Sequence, residues 1–488
     1  MILTILVSLY VIRIVLDVLG VEDYGLYSVV GGVVALLSFL PVSMASSTQR
    51  FFSHALGENN NENLKKIFGV NILLYLSISL IALVLLNTVG LWYIENKLIL
   101  PNERMDSLRI LFFLSNFTFF FKIIKSPFMA IIIAHENMKT YAYLAIFESL
   151  FKLLGVLFLT TINGDKLVLY GLILLIISIL ESSIYILITF KKYDECSVLA
   201  IKWDKKIAGE IINFTSWTLF GQLTTVFRGS AITLLINQYF NPLIVAARTL
   251  AVNISIQSTF LAQQFNTSLY PPIIKSYSSK NLNYMFDLIF FGSKISFFLM
   301  WIIALPVIIE IENILNLWLT NIPEYTDEFA VLTIIESLIF AVSLPLTTAA
   351  RAPGKMKLYE TVLGIQQVSI FFIAWILFDL NFNVHYVFYI CIVMNIVMFF
   401  SRLFIVNKLI NIGIKSYIKI VLPPIFKVTL VSYLITYLIN NFILNDEVYL
   451  VISLLIYAVT ILISICFFGL NKSQKKEILK YLIKKLNI

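Results

Sequence analysis

The chain has 488 residues, of which 59% are hydrophobic and only 13% are charged. This composition excludes a soluble globular protein and is typical of a chain that crosses a membrane many times. The net charge of +8 does not indicate a nucleic-acid partner, because the basic residues are concentrated in short segments between apolar runs. The few cysteines and histidines are scattered, so we expect no disulfide, no metal site and no cofactor.

Fourteen apolar runs are long enough to cross a bilayer as helices, for which about 20 residues are needed. The sequence therefore predicts an all-α, polytopic membrane protein with about 14 transmembrane helices. The predicted spans are 2–19, 26–47, 67–91, 109–133, 141–162, 168–190, 211–236, 244–268, 288–309, 328–350, 360–378, 385–406, 422–443 and 449–469. Alternate loops hold 23 Lys and Arg residues against three on the opposite side. Basic loops stay in the cytoplasm, which predicts that both termini are cytoplasmic.

An internal repeat follows from two similar segments. Pro127 precedes Met-Lys-Thr-Tyr at 138–141, and Pro345 precedes Met-Lys-Leu-Tyr at 356–359, each pair 218 residues apart. A chance match is the alternative, but the matches cluster at equivalent span ends. The repeat predicts two six-helix lobes of the same orientation around a central cavity. The predicted parts are the N-terminal lobe 1–209, the C-terminal lobe 210–406, and 407–488 with two additional helices and a basic amphipathic tail.

Charged side chains recur inside the apolar runs. An ionisable group at mid-bilayer is costly and is therefore a functional candidate by default. Ammonium and guanidinium groups lining a cavity suit an anionic ligand such as phosphate or pyrophosphate. The candidate binding residues are Arg13, Lys122, Lys125, Arg228, Arg248 and Lys294. The candidates for coupling to a proton or sodium ion are Glu148, Glu181 and Glu336.

Structural roles are open alternatives for several of these charges. Glu148 and Lys152 are four residues apart on one helix and can neutralise each other. Arg248 begins a span and can be an interfacial anchor, and Arg402 is expected to extend its head group to the cytoplasmic surface. The acidic candidates can equally be paired structural carboxylates. No obvious local partner accompanies Lys122, Lys125, Arg228 or Lys294.

Two further features of the spans suit a transporter. Pro127 and Pro345 lie inside spans and disturb the preceding helical turn, so each is a candidate hinge or, equally, a static kink. The polar stretches 43–49 and 257–268 are expected to be wet on one side. Their hydroxyls and amides can bind sugar hydroxyls or bind neighbouring helices.

The N-terminal stretches are similar to a known family. Leu-Gly-Val-Glu-Asp-Tyr-Gly-Leu-Tyr at 19–27 and Ser-Met-Ala-Ser-Ser-Thr-Gln-Arg-Phe at 43–51 resemble the Wzx-type O-antigen and polysaccharide flippases. These belong to the multidrug/oligosaccharidyl-lipid/polysaccharide exporter superfamily. Ala-Ala-Arg at 246–248 resembles the start of the eighth span in lipid II flippases of the same superfamily. That resemblance implies that Arg248 faces the cavity and is needed for activity.

The resemblance implies a function in bacterial surface-polysaccharide export. The expected activity is translocation of undecaprenyl-pyrophosphate-linked oligosaccharide repeat units from the cytoplasmic to the periplasmic leaflet of the inner membrane, by alternating access. The expected partners are this lipid-linked substrate, membrane lipids and a coupling proton or sodium ion. The alternatives are a lipid II flippase and a drug or cation antiporter of the same superfamily.

Two other classes are less compatible with the sequence. A membrane-embedded glycosyltransferase would need acidic catalytic residues in large periplasmic loops, and the predicted outer loops are short. No nucleotide-binding or catalytic motif is present, so we expect no enzyme activity. A structural scaffold does not account for lysines buried without partners.

Overall fold

A computed structural model describes residues 2–35, 37–97, 101–240, 242–319, 322–443, 450–471 and 474–475. These residues are almost entirely helical. The helices are α1 (Ile2–Ala35), α2 (Phe39–Gly57), α3 (Asn61–Leu85), α4 (Leu91–Lys97), α5 (Met105–Ala134), α6 (Met138–Thr161), α7 (Lys166–Lys192), α8 (Lys205–Tyr239), α9 (Pro242–Ser278), α10 (Leu282–Ile309), α11 (Ile311–Trp318), α12 (Thr326–Arg351), α13 (Met356–Asp379), α14 (His385–Ile410), α15 (Ile414–Ile443) and α16 (Leu450–Ser464).

The protein is a multi-pass membrane protein. Across the described ranges, 12 helical segments are long and apolar enough to cross a membrane. The count rises to 13 when the bent pair Asp23–Val34 and Phe39–Gly57 is taken as one span. These correspond to the predicted spans from 26–47 onward, whereas the predicted span 2–19 is not among them.

A glycine interrupts α1 after the predicted first span. Gly20 has φ 77° and ψ 168°, a conformation outside the helical region that L side chains rarely adopt. The helix is therefore kinked at Gly20, between residues 2–19 and the segment that begins near Asp23. The predicted first span ends at residue 19, immediately before this glycine, and the span itself stays a prediction.

The first compact unit, Met1–Gln222, is organised around α5. This helix packs against α1, α2, α3 and α7. Leu108, Leu111, Phe112 and Ile123 are completely buried along its length. In a bilayer, where no water competes for these contacts, such side chains hold helices together mainly by close packing.

The second compact unit, Leu223–Ile488, has an equivalent central helix, α12. It packs against α9, α10 and α14, and α15 and α16 both pack against α10. The helix bounds follow the 218-residue offset: α6 and α13 begin at Met138 and Met356 and end at Thr161 and Asp379. Most of the predicted amphipathic tail, 472–488, lies outside the described residues.

Candidate functional site

An ion pair lies among the helices of the first unit. The Lys125 ammonium on α5 donates a hydrogen bond to Glu181 Oε1 on α7. Its Nζ atom lies 4.0 Å from Glu148 Oε2 on α6 and 5.6 Å from the centre of the Tyr185 ring. Three helices thus contribute to one cluster, and the carboxylates of two coupling candidates surround one binding candidate. In the described part of the chain, no ion pair within 4.0 Å joins Glu148 to Lys152.

Lys122 lies one helical turn before Lys125 and lines a cavity. This cavity has a volume of about 370 Å³ and is also lined by Ser115, Thr118 and Phe119 of the same helix. The electrostatic neighbours of Lys122 are Lys125, Lys152, Glu148 and Glu181. Among the described residues, no carboxylate oxygen lies within 4.0 Å of its ammonium group. Lys122 is therefore the basic member of the cluster that lines the cavity without a direct ion-pair contact among the described residues.

A second ion pair lies in the second unit. Arg228 Nη1 on α8 donates a hydrogen bond of 2.8 Å to Glu336 Oε1 on α12. Asn395 Nδ2 on α14 donates to the same oxygen at 2.7 Å. Arg248 Nη1 on α9 donates to the Thr233 hydroxyl at 2.6 Å. Within the described residues, Arg248 has no carboxylate partner within 4.0 Å, so its charge is not neutralised by an ion pair.

The second cluster faces a cavity of about 250 Å³. Both guanidinium-bearing residues and Glu336 line it, together with hydroxyls and one amide from Ser255, Thr259, Gln263, Thr333 and Ser337. Thr259 and Gln263 belong to the polar stretch 257–268, so two of its side chains line a cavity, and the predicted contact of this stretch with water stays a prediction. Such groups can donate and accept hydrogen bonds with a polyhydroxylated ligand.

Both clusters carry one more basic than acidic side chain. The first contains three lysines and two glutamates, and the second contains two arginines and one glutamate. An uncompensated charge away from bulk water is costly, and an anionic ligand that accepts charge-assisted hydrogen bonds offsets that cost. The arrangement can therefore bind a multiply charged anion better than a cation.

Two sequence candidates are not brought into these clusters. Lys294 on α10 is 1% exposed, and its Nζ lies 3.3 Å from Gln474 Oε1. Arg13 on α1 is exposed, as is the nearby Asp17. Neither basic residue lines the cavities that contain Lys122 or Arg228.

The expectation for Arg402 is wrong. Its side chain does not extend to the surface, because the residue is only 4% exposed and its guanidinium carbon lies 5.3 Å from the centre of the Phe340 ring. Packing against the aromatic ring and neighbouring helices holds the head group inside the unit.

The two prolines lie where the repeat predicts. Pro127 is buried within α5 and Pro345 is buried within α12, and both helices continue past the proline. Pro345 Cγ would lie only 3.1 Å from a Cβ atom added to Gly292 on α10. Helices α10 and α12 therefore pack closely where Gly292 faces Pro345. The hinge role stays a prediction for both prolines.

Several partners of the candidate residues were not identified from the sequence. Asn395 holds Glu336, Thr233 holds Arg248, and Tyr185 lies beside Lys125. A lone amide in an apolar run is a usable signal for Asn395, because polar side chains in spans commonly bond across helices. A threonine or a tyrosine is too common in spans to stand out.

A separate ion-pair network lies at the end of the first unit that the loop charges predict to be periplasmic. Arg104 donates to Asp23 on α1 and, at 3.1 Å, to Asp165 before α7. Asp165 also caps α7 by accepting from the Leu167 backbone N–H at 3.0 Å. Burial raises the pKa of the Asp165 carboxyl, but the hydrogen bond from Ser107 and the Arg104 charge outweigh it and hold this pKa below its ordinary value.

We expect Asp165→Ala to lower the free energy of unfolding by about 1 kcal/mol through loss of the helix cap. Asp165→Asn keeps a capping side chain and removes only the charge. Because the folded-state pKa is depressed, the charge stabilises the fold above the ordinary pKa of 3.8 and loses its effect as the pH falls through the folded value. Thermal unfolding in detergent should show the wild-type advantage over Asp165→Asn at pH 7 and its disappearance in acid. An advantage that is constant with pH would contradict this assignment.

Comparisons with known proteins identify the fold but give no sequence family. No protein-family model matches the chain, and no curated protein matches it. A crystal structure of MATE in the straight conformation is 13% identical, covers 85% of this chain and 95% of its own, and has a TM-score of 0.74. An outward-facing multidrug resistance MATE family transporter of the MOP superfamily is 13% identical, covers 84% of this chain and 94% of its own, and has a TM-score of 0.72.

A third structure is a MOP superfamily transporter from Pyrococcus furiosus, for which a reversed polarity of the binding pocket suggests a different function. It is 14% identical, covers 84% of this chain and 93% of its own, and has a TM-score of 0.65. The fold is therefore that of a polytopic helical membrane protein. More narrowly, it is the fold of the solved MATE structures, and membership of the superfamily that the sequence resemblance implies stays a prediction.

Proposed function

We propose that this protein is a flippase for undecaprenyl-pyrophosphate-linked oligosaccharide repeat units. It would move them from the cytoplasmic to the periplasmic leaflet of the bacterial inner membrane by alternating access. Both termini would lie in the cytoplasm. The class of activity, transport rather than catalysis, is supported by the fold shared with solved transporters.

The observation that carries the proposal is the excess of basic side chains in both clusters. Lys122 and Arg248 have no carboxylate within 4.0 Å among the described residues, and each lines a cavity. A pyrophosphate diester carries negative charge on several oxygens, which accept hydrogen bonds from ammonium and guanidinium groups. Arg228 and Lys125 can also donate hydrogen bonds to the ligand if its phosphate oxygens replace their glutamate partners.

The cavity of the second unit also suits the sugar part of this substrate. Its hydroxyl-bearing and amide-bearing side chains surround the two arginines, so a ligand held by its pyrophosphate would present its sugars to hydrogen-bonding groups. The same features suit lipid II, which has the same pyrophosphate and a different sugar. The resemblance of residues 246–248 to lipid II flippases keeps that substrate as the alternative within this proposal.

A drug or cation antiporter is the second candidate, because solved proteins with this fold include a multidrug resistance transporter. A cationic substrate is favoured by carboxylates or aromatic faces and opposed by nearby positive charge, and here the balance of each cluster is basic. For the Pyrococcus furiosus transporter, which shares this fold, a reversed polarity of the binding pocket suggests a different function. Glu148, Glu181 and Glu336 remain the proposed sites for proton or sodium coupling.

Surface-glycan analysis of a deletion strain tests the proposal. We expect loss of long-chain polysaccharide, accumulation of lipid-linked repeat units inside the cell, and restoration by the wild-type gene. Lys125→Ala should restore much less at equal protein level, because it removes the central cation of the first cluster. Unchanged glycans together with raised drug sensitivity would instead support the antiporter.

A further inference from the structure

The connection between α7 and α8, residues 193–204, has two different sides. Its inner side is fixed to the first unit. Tyr193 and Cys196 are buried, and the Tyr193 ring stacks on His135 with centroids 4.0 Å apart. His135 Nε2 lies 2.6 Å from Glu195 Oε1. The connection is therefore held in a defined position on the turn that follows α5.

A glycine contact sets the depth of this connection relative to the membrane. A Cβ atom added to Gly69 on α3 would lie 2.0 Å from the Ala200 carbonyl oxygen, so the two backbones are in direct contact. Gly69 lies about 12 Å along the helix from Asn61, at 1.5 Å per residue. The apolar run of α3 begins at residue 67. The connection thus lies level with the boundary between the apolar part of the span and its polar end.

The outer side of the connection carries exposed apolar side chains. Val198 is 72% exposed, Leu199 is 88% exposed and Trp203 is 56% exposed. Tryptophan at the level of the headgroups and aliphatic residues facing the acyl chains are typical of segments that lie in a membrane interface. The short helical turn Val198–Ala200 holds the two aliphatic side chains outward.

Exposed lysines surround these apolar side chains, at positions 191, 192, 202, 205 and 206. The nearby carboxylates do not balance them. Glu195 is paired with His135, and Asp204 caps α8 by accepting from the Lys206 and Ile207 backbone N–H groups at 3.0 Å and 3.1 Å. Asp194 is the one exposed carboxylate of the connection in the described structure. The surface around Leu199 is therefore strongly basic.

We propose that the α7–α8 connection is a binding surface for anionic glycerophospholipids in the leaflet that the loop charges predict to be cytoplasmic. Val198, Leu199 and Trp203 enter the interface, and the surrounding ammonium groups bind phosphate headgroups. Charge complementarity favours anionic lipid over a zwitterionic one. This inference does not rest on the proposed substrate, because no residue of the two cavity clusters takes part.

The first test measures the depth of Leu199. A spin label is attached to Leu199→Cys in a Cys466→Ser background, since the other two cysteines are buried. The matched control is Asn283→Cys, exposed at the start of α10. In bilayer nanodiscs, oxygen should relax the Leu199 label more than a water-soluble nickel chelate does, with the reverse at position 283. Preferential relaxation of the Leu199 label by the nickel chelate would overturn the proposal.

The second test measures lipid selectivity. The full-length protein is extracted from nanodiscs of phosphatidylethanolamine containing phosphatidylglycerol, and retained lipids are counted by native mass spectrometry. Lys202→Gln with Lys205→Gln should lower phosphatidylglycerol retention by about fivefold or more. Lys408→Gln with Lys415→Gln removes the same charge from exposed positions at the end of α14 and the start of α15, and should leave retention near the wild-type level. Equal loss in both double variants, or loss in neither, would overturn the assignment of the site to this connection.

Discussion

Arg248→Ala is expected to lower the rate of lipid-linked oligosaccharide export by about tenfold to a hundredfold, the effect of removing a hydrogen-bond donor to a charged group. Arg248 donates to the Thr233 hydroxyl, has no carboxylate within 4.0 Å in the part of the chain that the structure describes, and lines a cavity together with Arg228. Its charge is thus available to a ligand. The measurement is the initial rate at which long-chain polysaccharide appears on deletion cells after induction of each variant.

Two control variants test whether the loss of export is due to the guanidinium group of Arg248. Arg248→Lys keeps the charge and loses the planar fork of donors, so it should restore export partly. Arg109→Ala removes an exposed arginine that pairs with Glu95 and should export at the wild-type rate. If Arg248→Ala exported normally at equal protein level, the cavity of the second unit would not be the pyrophosphate site.

The Arg228–Glu336 pair should be strongly coupled in stability. The pair is partly buried, so we expect removal of one partner to cost about 1 to 3 kcal/mol, between the values for exposed and for fully buried ion pairs. We therefore expect Arg228→Met and Glu336→Gln each to lower the unfolding temperature markedly in detergent. The double variant should recover most of the loss, because no charge of the pair remains.

A double-mutant cycle separates this structural effect from function. The double variant should be stable yet export poorly, since it lacks both a ligand donor and a coupling carboxylate. The Lys122→Met variant is the control for a cation without an ion-pair partner, and it should be close to wild type in stability. Additive destabilisation by the two pair substitutions would show that Arg228 and Glu336 do not interact as described.

The membrane class and the helix order could be predicted because each depends on local sequence. Hydropathy over one window indicates a span, and a glycine such as Gly20 can break a helix. The basic candidates follow from single charges inside apolar runs, and their role in binding stays a prediction. The ion pairs could not be predicted, since Arg228 and Glu336 are 108 positions apart and lie on different helices. Helical spacing reveals only neighbours three or four residues away, which led to Glu148–Lys152 rather than to the Lys125–Glu181 contact.

The environment of a single charged side chain inside a span also could not be predicted from the sequence. A lysine in an apolar run can face a cavity, as Lys122 does, or lie fully enclosed, as Lys294 does. The same ambiguity explains Arg402, which was expected at the surface and is buried with its guanidinium group against the Phe340 ring. The direction in which such a side chain points depends on which helices pack against it, and that information is absent from the sequence of one helix.

Reconstitution of the purified protein in liposomes tests the central claim most directly. A fluorescent pyrophosphate-linked oligosaccharide lipid is placed in both leaflets, and its accessibility to an external quencher or glycosidase is followed with time. We expect protein-dependent translocation that Arg248→Ala slows and Arg109→Ala does not. Absence of translocation, together with uptake of a cationic drug by the same liposomes, would contradict the flippase proposal and identify an antiporter.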